Sequence, residues 1–146
     1  EETLRELAAD FGVADLVSFP GFVSGPELEK LYRHSDVFLH PSRETESGDR
    51  EGIPNSLLEA MAYGLPVIST RHSGIPEAIT HDESGLLIDR SDAAALAGQA
   101  RRLWDVPGLF DRLSLGARAK VESQFSSTHS IKRLEDSYDE ALQLRS

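Results

Sequence analysis

The chain has 146 residues, with 15 Lys and Arg against 25 Asp and Glu and a formal net charge of −10. That length allows one domain with a core, and an acidic chain without a basic stripe of interleaved aromatics argues against a nucleic-acid partner. Cysteine is absent, which excludes disulfides, thiolate chemistry and the usual structural zinc sites. No apolar run approaches the roughly 20 residues that span a bilayer, and Glu1-Glu2-Thr3-Leu4-Arg5 lacks the form of a signal peptide.

Leu4, Leu7, Ala8 and Phe11 recur at helical spacing, and Gly12 supplies a stop. Asp15 to Phe19 reads as a short strand ending in Pro20-Gly21, followed by Phe22-Val23. A loop at the carboxyl end of a parallel strand borders the ligand crevice in open α/β sheets. Gly21, Phe22 and Val23 are therefore candidates to border a nucleobase, although a loop that merely turns the chain fits equally well. Glu27 to Tyr32 forms a second helix started by Ser24 or Gly25-Pro26. Asp36 to Ser42 is a buried strand stopped by Pro41, in which His40 suits packing better than chemistry. Arg43 to Arg50 is a polar loop without periodicity.

A helix with Leu57, Leu58, Met61 and Ala62 on one face follows and ends at Gly64; Pro66 to Thr70 is the next strand. Arg71 to Glu77 leaves that strand, and Gly74 either lets the backbone approach a diphosphate or serves a turn. Leu86-Leu87-Ile88 makes a last strand, and the remainder, from Ala94 to Leu144, is helical. Strands alternating with helices give an α/β fold with a parallel sheet. Without a linker or repeat, residues 1–146 read as one domain.

The stretch Glu51-Gly52-Ile53-Pro54-Asn55-Ser56-Leu57-Leu58-Glu59 concentrates the chemistry. Two carboxylates eight positions apart bracket the start of a helix, where unpaired N–H groups at residues such as Asn55 and Ser56 and the positive dipole end suit a phosphate. A phosphate flanked by acidic acceptors suits a phosphorylated sugar, whose hydroxyls donate to the carboxylates. Ser56-Leu57-Leu58-Glu59 also spells a capping box, in which Glu59 only satisfies backbone donors. Glu51, taken alone, could be an ordinary solvated acid.

The run EGIPNSLLEAMAYGLPVIST, with RHSGIPEAI and SGLLID after it, resembles the donor-nucleotide half of a family 4 glycosyltransferase, a retaining enzyme of the GT-B fold. The resemblance extends from Glu1 to about Leu142. It implies a Rossmann-like parallel sheet flanked by helices, the C-terminal half of a GT-B fold that lacks its first strands. It also implies transfer of a sugar from a nucleotide diphosphate donor to an acceptor with retained configuration, in glycan, polysaccharide or glycolipid synthesis and without an obligatory divalent metal or other cofactor. Residue by residue, it assigns Glu51 the catalytic position at the donor sugar's hydroxyls and Glu59 the ribose hydroxyls. Backbone groups of Asn55, Ser56 and Leu57 meet the phosphates, and Gly52 and Ile53 belong to the same donor-binding stretch.

This sequence departs from the family pattern at Pro54, where many relatives have glycine, and in its longer link between Ser42 and Glu51. Nothing before Glu1 corresponds to the family's earlier Gly-Arg-Leu and Gly-Asp-Gly strands with their phosphate-binding Arg and Lys. The expectation is a piece of something longer, cytoplasmic, inactive by itself and with exposed sheet edges. The acceptor, a glycan or lipid, and any peripheral membrane contact would come through the missing domain. Two other readings stay open: a GT-B nucleotide-sugar epimerase and a noncatalytic nucleotide-sugar-binding module.

Overall fold

In the computed structural model, which describes residues 1–43, 52–89 and 92–143, three short runs after Asp36 form one parallel sheet. Its strands are β1 (Phe38–His40), β2 (Val67–Thr70) and β3 (Leu86–Ile88), in the order β1-β2-β3. Leu39 pairs with Ile68, and Ile68 with Leu86. Every residue of β2 and β3 is buried, which is why neither reads as an alternating pattern. Leu39, on β1, is 53% exposed. This strand has a neighbour on one side only among the described residues, so the expected open edge is present.

Helix α3 (Asn55–Ala62) joins β1 to β2 and buries Leu57, Ala60 and Met61. Its end is set by Gly64, whose φ of +77° is the left-handed value that only glycine adopts cheaply. There the N–H of Gly64 donates to Met61 and that of Leu65 to Ala60, at 2.9 and 3.0 Å, closing the last turn. After β2 comes a single turn, α4 (Ile75–Ala78), within a stretch the sequence leaves as loop. Four residues cannot show a helical period, so no pattern announces it.

Helices α5 (Ala93–Asp105) and α6 (Leu109–Gln124) place Leu103, Leu109 and Leu113 in one core cluster with Ile68 and Leu86. The Asp92 carboxylate accepts from the Ala94 N–H at 3.0 Å and fixes where α5 begins. The last described element, α7 (Ser127–Gln143), contains no buried residue.

The chain divides into two compact units, Glu1–Leu31 and Tyr32–Ser146, with the division inside α2 (Pro26–His34). The first unit holds α1 (Glu2–Asp10), a 3-10 turn at Ala14–Leu16 and the start of α2. The strand expected over Asp15 to Phe19 is not formed. Val17 has extended backbone, φ −112° and ψ 124°, but no strand pairs with it among the described residues, and Leu16 is 84% exposed. Local preference supplies extended backbone; a strand also needs a neighbour to bond to.

Candidate functional site

Parallel strands put their carboxyl ends on one edge, and the segments leaving that edge form the crevice of open α/β sheets. Because His40 pairs with Ser69, the segments after β1 and β2 leave side by side. Two hydroxyls fasten them: Ser69 Oγ donates to the carbonyl of His40 and Thr70 Oγ1 to that of Ser42, each at 2.6 Å. The His40 ring stacks on Phe38 at 6.2 Å, a packing role.

A closer contact joins the same two segments. Gly74 has an ordinary φ of −77°, yet a Cβ there would come within 3.0 Å of the Gly52 carbonyl carbon and 3.0 Å of Ile53 Cγ1. The glycine therefore admits the crossing backbone of the neighbouring loop; a left-handed turn is not what requires it. Gly52 and Ile53, from the donor-binding stretch, meet Gly74 at this edge.

Pro54 is the N-cap of α3, with φ −61° and ψ 128°, and its carbonyl receives the N–H groups of Leu57 at 3.1 Å and Leu58 at 3.3 Å. The first two helical N–H groups, on Asn55 and Ser56, have no backbone acceptor among the described residues. They are the orphan donors that every helix start leaves. Leu57 has less to offer a ligand than the sequence suggests, since its N–H is engaged and its side chain is wholly buried.

The capping-box alternative fails on this geometry. Ser56 is already inside the helix, one residue past Asn55, and α3 has no side-chain cap. A capping box needs its serine at the N-cap, and the extended Pro54 holds that place. Glu59 is exposed and accepts a hydrogen bond from Tyr32 Oη at 3.1 Å.

Tyr32 is only 7% exposed. Its ring stacks on Tyr63 at 5.3 Å and tilts against Phe38 at 6.2 Å, while the Arg33 guanidinium lies 5.2 Å above the Tyr63 ring. Burial, and after it the hydrogen bond to Glu59, pushes the phenol up to about 12. At neutral pH it can only be a protonated donor. The Ser56 carbonyl lies 3.4 Å from the same hydroxyl, and Glu59, at 3.1 Å, is the nearer acceptor. Sequence reasoning missed Tyr32, because 27 positions separate it from Glu59 and no local spacing connects them. The available signal was a tyrosine on an apolar helix face, whose buried hydroxyl would need a partner.

Of the other positions named from the sequence, Gly21, Phe22 and Val23 belong to the first unit. There Gly21 has a φ of +71° and Phe22 is 94% exposed. Glu51 lies outside the described residues. Among the described residues, no group of three His, Asp or Glu side chains could hold a metal ion, and no helix is long and apolar enough to cross a membrane.

A model of the family described as "Glycosyl transferases group 1" matches residues 1–105. The chain belongs to the group 1 glycosyl transferases. This member is 42% identical over 134 residues to the amylovoran biosynthesis glycosyltransferase AmsK of Erwinia amylovora, a match covering 92% of the chain and 33% of AmsK. It superposes on Anabaena Alr3699/HepE in complex with UDP-glucose with a TM-score of 0.80 at 19% identity, over 95% of this chain and 36% of that one. The C-terminal domain of the group 1 protein LpcC from Francisella tularensis gives a TM-score of 0.71 at 24% identity, over 86% of this chain and 62% of that one. The fold is therefore the C-terminal Rossmann-like domain of GT-B glycosyltransferases, as the sequence implied. This glycosyl transferase chain spans between 24% and 33% of the length of the first relatives it matches.

Proposed function

We propose that this chain supplies part of the donor site of a retaining glycosyltransferase, which moves a sugar from a nucleotide diphosphate to an acceptor in polysaccharide or glycolipid synthesis. The observation that carries this reading is the placement of Glu59. It is not spent on a cap, it is exposed, and it stands about one turn past Asn55 and Ser56, whose N–H groups have no backbone acceptor among the described residues. AmsK's role in amylovoran biosynthesis and the UDP-glucose bound by HepE support the same class of reaction and donor.

In this scheme Glu59 receives the ribose hydroxyls and the N–H groups of Asn55 and Ser56 face the diphosphate. Glu51 receives hydroxyls of the transferred sugar. The acceptor oxygen forms its bond to the anomeric carbon on the side from which the diphosphate oxygen departs, and the acceptor's proton passes to that leaving oxygen. Negative charge grows on the phosphate as the bond breaks, and N–H dipoles fixed at a helix start stabilise it without having to reorganise. Glu51 orients the sugar and is not a nucleophile. No divalent metal is needed in this arrangement. The remaining donor contacts and the acceptor, glycan or lipid, come from polypeptide outside this chain, as does any membrane contact, and residues 1–146 alone do not complete transfer.

The test is transfer by the full-length protein with a panel of uridine, guanosine and adenosine diphosphate sugars, in chelator and without it. A hydrogen bond to a charged group contributes about 1.5–3 kcal/mol, equal to roughly tenfold to a hundredfold. Glu59→Gln is expected to raise the donor KM by that factor, and Glu51→Gln to lower kcat by at least as much. Unchanged rates in both variants would remove the donor-site reading.

A further inference from the structure

We infer that Tyr32 is a positioning residue for the donor's ribose: its hydroxyl holds one oxygen of Glu59 and leaves the other for the ribose hydroxyls. The inference rests on the assignment of Glu59 made under Proposed function, and it concerns a residue that touches no donor itself.

The geometry separates this from a purely structural role. A buried phenol needs an acceptor, and the Ser56 carbonyl, 3.4 Å away, is within reach of Tyr32 without any help from Glu59. The hydroxyl nonetheless lies closer to Glu59 Oε2, at 3.1 Å. An exposed glutamate is ordinarily free to sample its rotamers, and holding it costs entropy. Here it is bonded by a buried ring on which Tyr63 stacks and against which Phe38 tilts. The phenol also cannot ionise near neutral pH, so the bond has one polarity throughout the working range. A carboxylate fixed in this way is ready for a diol before the diol arrives, which lowers the ordering cost of binding.

Calorimetry on the full-length protein tests it with UDP, GDP and ADP, and with the 2′,3′-dideoxy form of whichever binds tightest. Holding one rotamer-rich side chain contributes about three- to tenfold in affinity. Tyr32→Phe keeps every ring contact and is expected to weaken the ribonucleotide by about that factor while leaving the dideoxynucleotide unchanged. In a Glu59→Gln background, Tyr32→Phe should add nothing for either ligand. Equal losses on both nucleotides would make Tyr32 a packing residue, and no loss on the ribonucleotide would remove the inference outright. Glu59→Gln separates the two layers. If it abolishes the preference for ribose while Tyr32→Phe behaves as wild type, only the positioning role fails. If Glu59→Gln keeps that preference, or if none of the three nucleotides binds, the ribose assignment fails and the inference with it. A melting temperature of Tyr32→Phe close to wild type excludes a folding defect as the cause of any loss.

Discussion

Two carboxylates show how much one neighbour decides. Glu59 takes a neutral phenol and stays exposed, whereas Asp82 takes a guanidinium: Arg102 Nη1 lies 2.7 Å from its Oδ1. That bond holds the Asp82 carboxyl below its usual range, against the opposing effect of burial. A carboxyl with a depressed folded pKa adds stability above its unfolded value, about 3.9, and loses it as pH falls through the folded one. Both side chains are more than a third exposed, 39% and 35%, so solvent screening limits the contribution to less than about 1 kcal/mol. Asp82→Asn should therefore cost about that much at pH 7 and progressively less as pH falls below the ordinary carboxyl range, measured by urea unfolding from pH 7 down into acid. Equal losses at both ends would mean that the ion pair is not what Asp82 contributes. At this scale the sequence was half legible. Ser-x-x-Glu marked Glu59, but on spacing alone it favoured a cap over a ligand contact, and only the backbone of Pro54 removes the cap. Tyr32 was invisible because its partner is distant along the chain. Glu51, the position to which the resemblance gives the sugar, lies outside the described residues.

Helices were legible because a long apolar period outweighs local accidents, and two helical glycines show where the period stops being informative. Gly98 in α5 and Gly116 in α6 look alike in sequence, and each weakens its helix by about 0.5–1 kcal/mol relative to alanine. A Cβ at Gly98 would meet nothing within 4 Å, whereas one at Gly116 would run into the backbone carbonyl of Glu83. Gly98→Ala should accordingly raise the melting temperature by roughly 2–4 °C, on the scale of about 1 kcal/mol for a chain of this size. Gly116→Ala should lower it despite the same gain in propensity, because overpacking against backbone costs about 1–3 kcal/mol or more. Thermal scans of the two variants beside wild type check both signs, and a rise for Gly116→Ala would mean that the loop at Glu83 yields freely. The misread strand at Asp15 to Phe19 has the complementary cause. Its local preference was right, since Val17 is extended, but pairing is a property of the neighbouring strand and is absent from the segment itself.

Across the whole chain, the sheet and α3 carry residues with no exposure at all, including Leu57, Met61, Val67 and Ile68, while α7 buries none. Leu134, Tyr138 and Leu142 recur on it at helical spacing, and these three, with Ile131, are more than half exposed, from 56% to 65%. Periodicity reports that a face is apolar; it cannot report what covers it. A helix of 17 residues without tertiary burial is marginal in water, because most helical stability in proteins comes from the packed face. Local opening of α7 in this 146-residue chain should therefore cost little, whereas exposing β2 or α3 requires losing the core. Native-state hydrogen exchange of the chain should show protection in α7 of less than about tenfold. The amides of β2 and of the second half of α3 should exchange at least about a hundredfold more slowly than those of α7, through near-global opening. Matching protection in α7 and β2 would mean that the last helix folds as one cooperative unit with the sheet, and its exposed stripe would then need a different explanation.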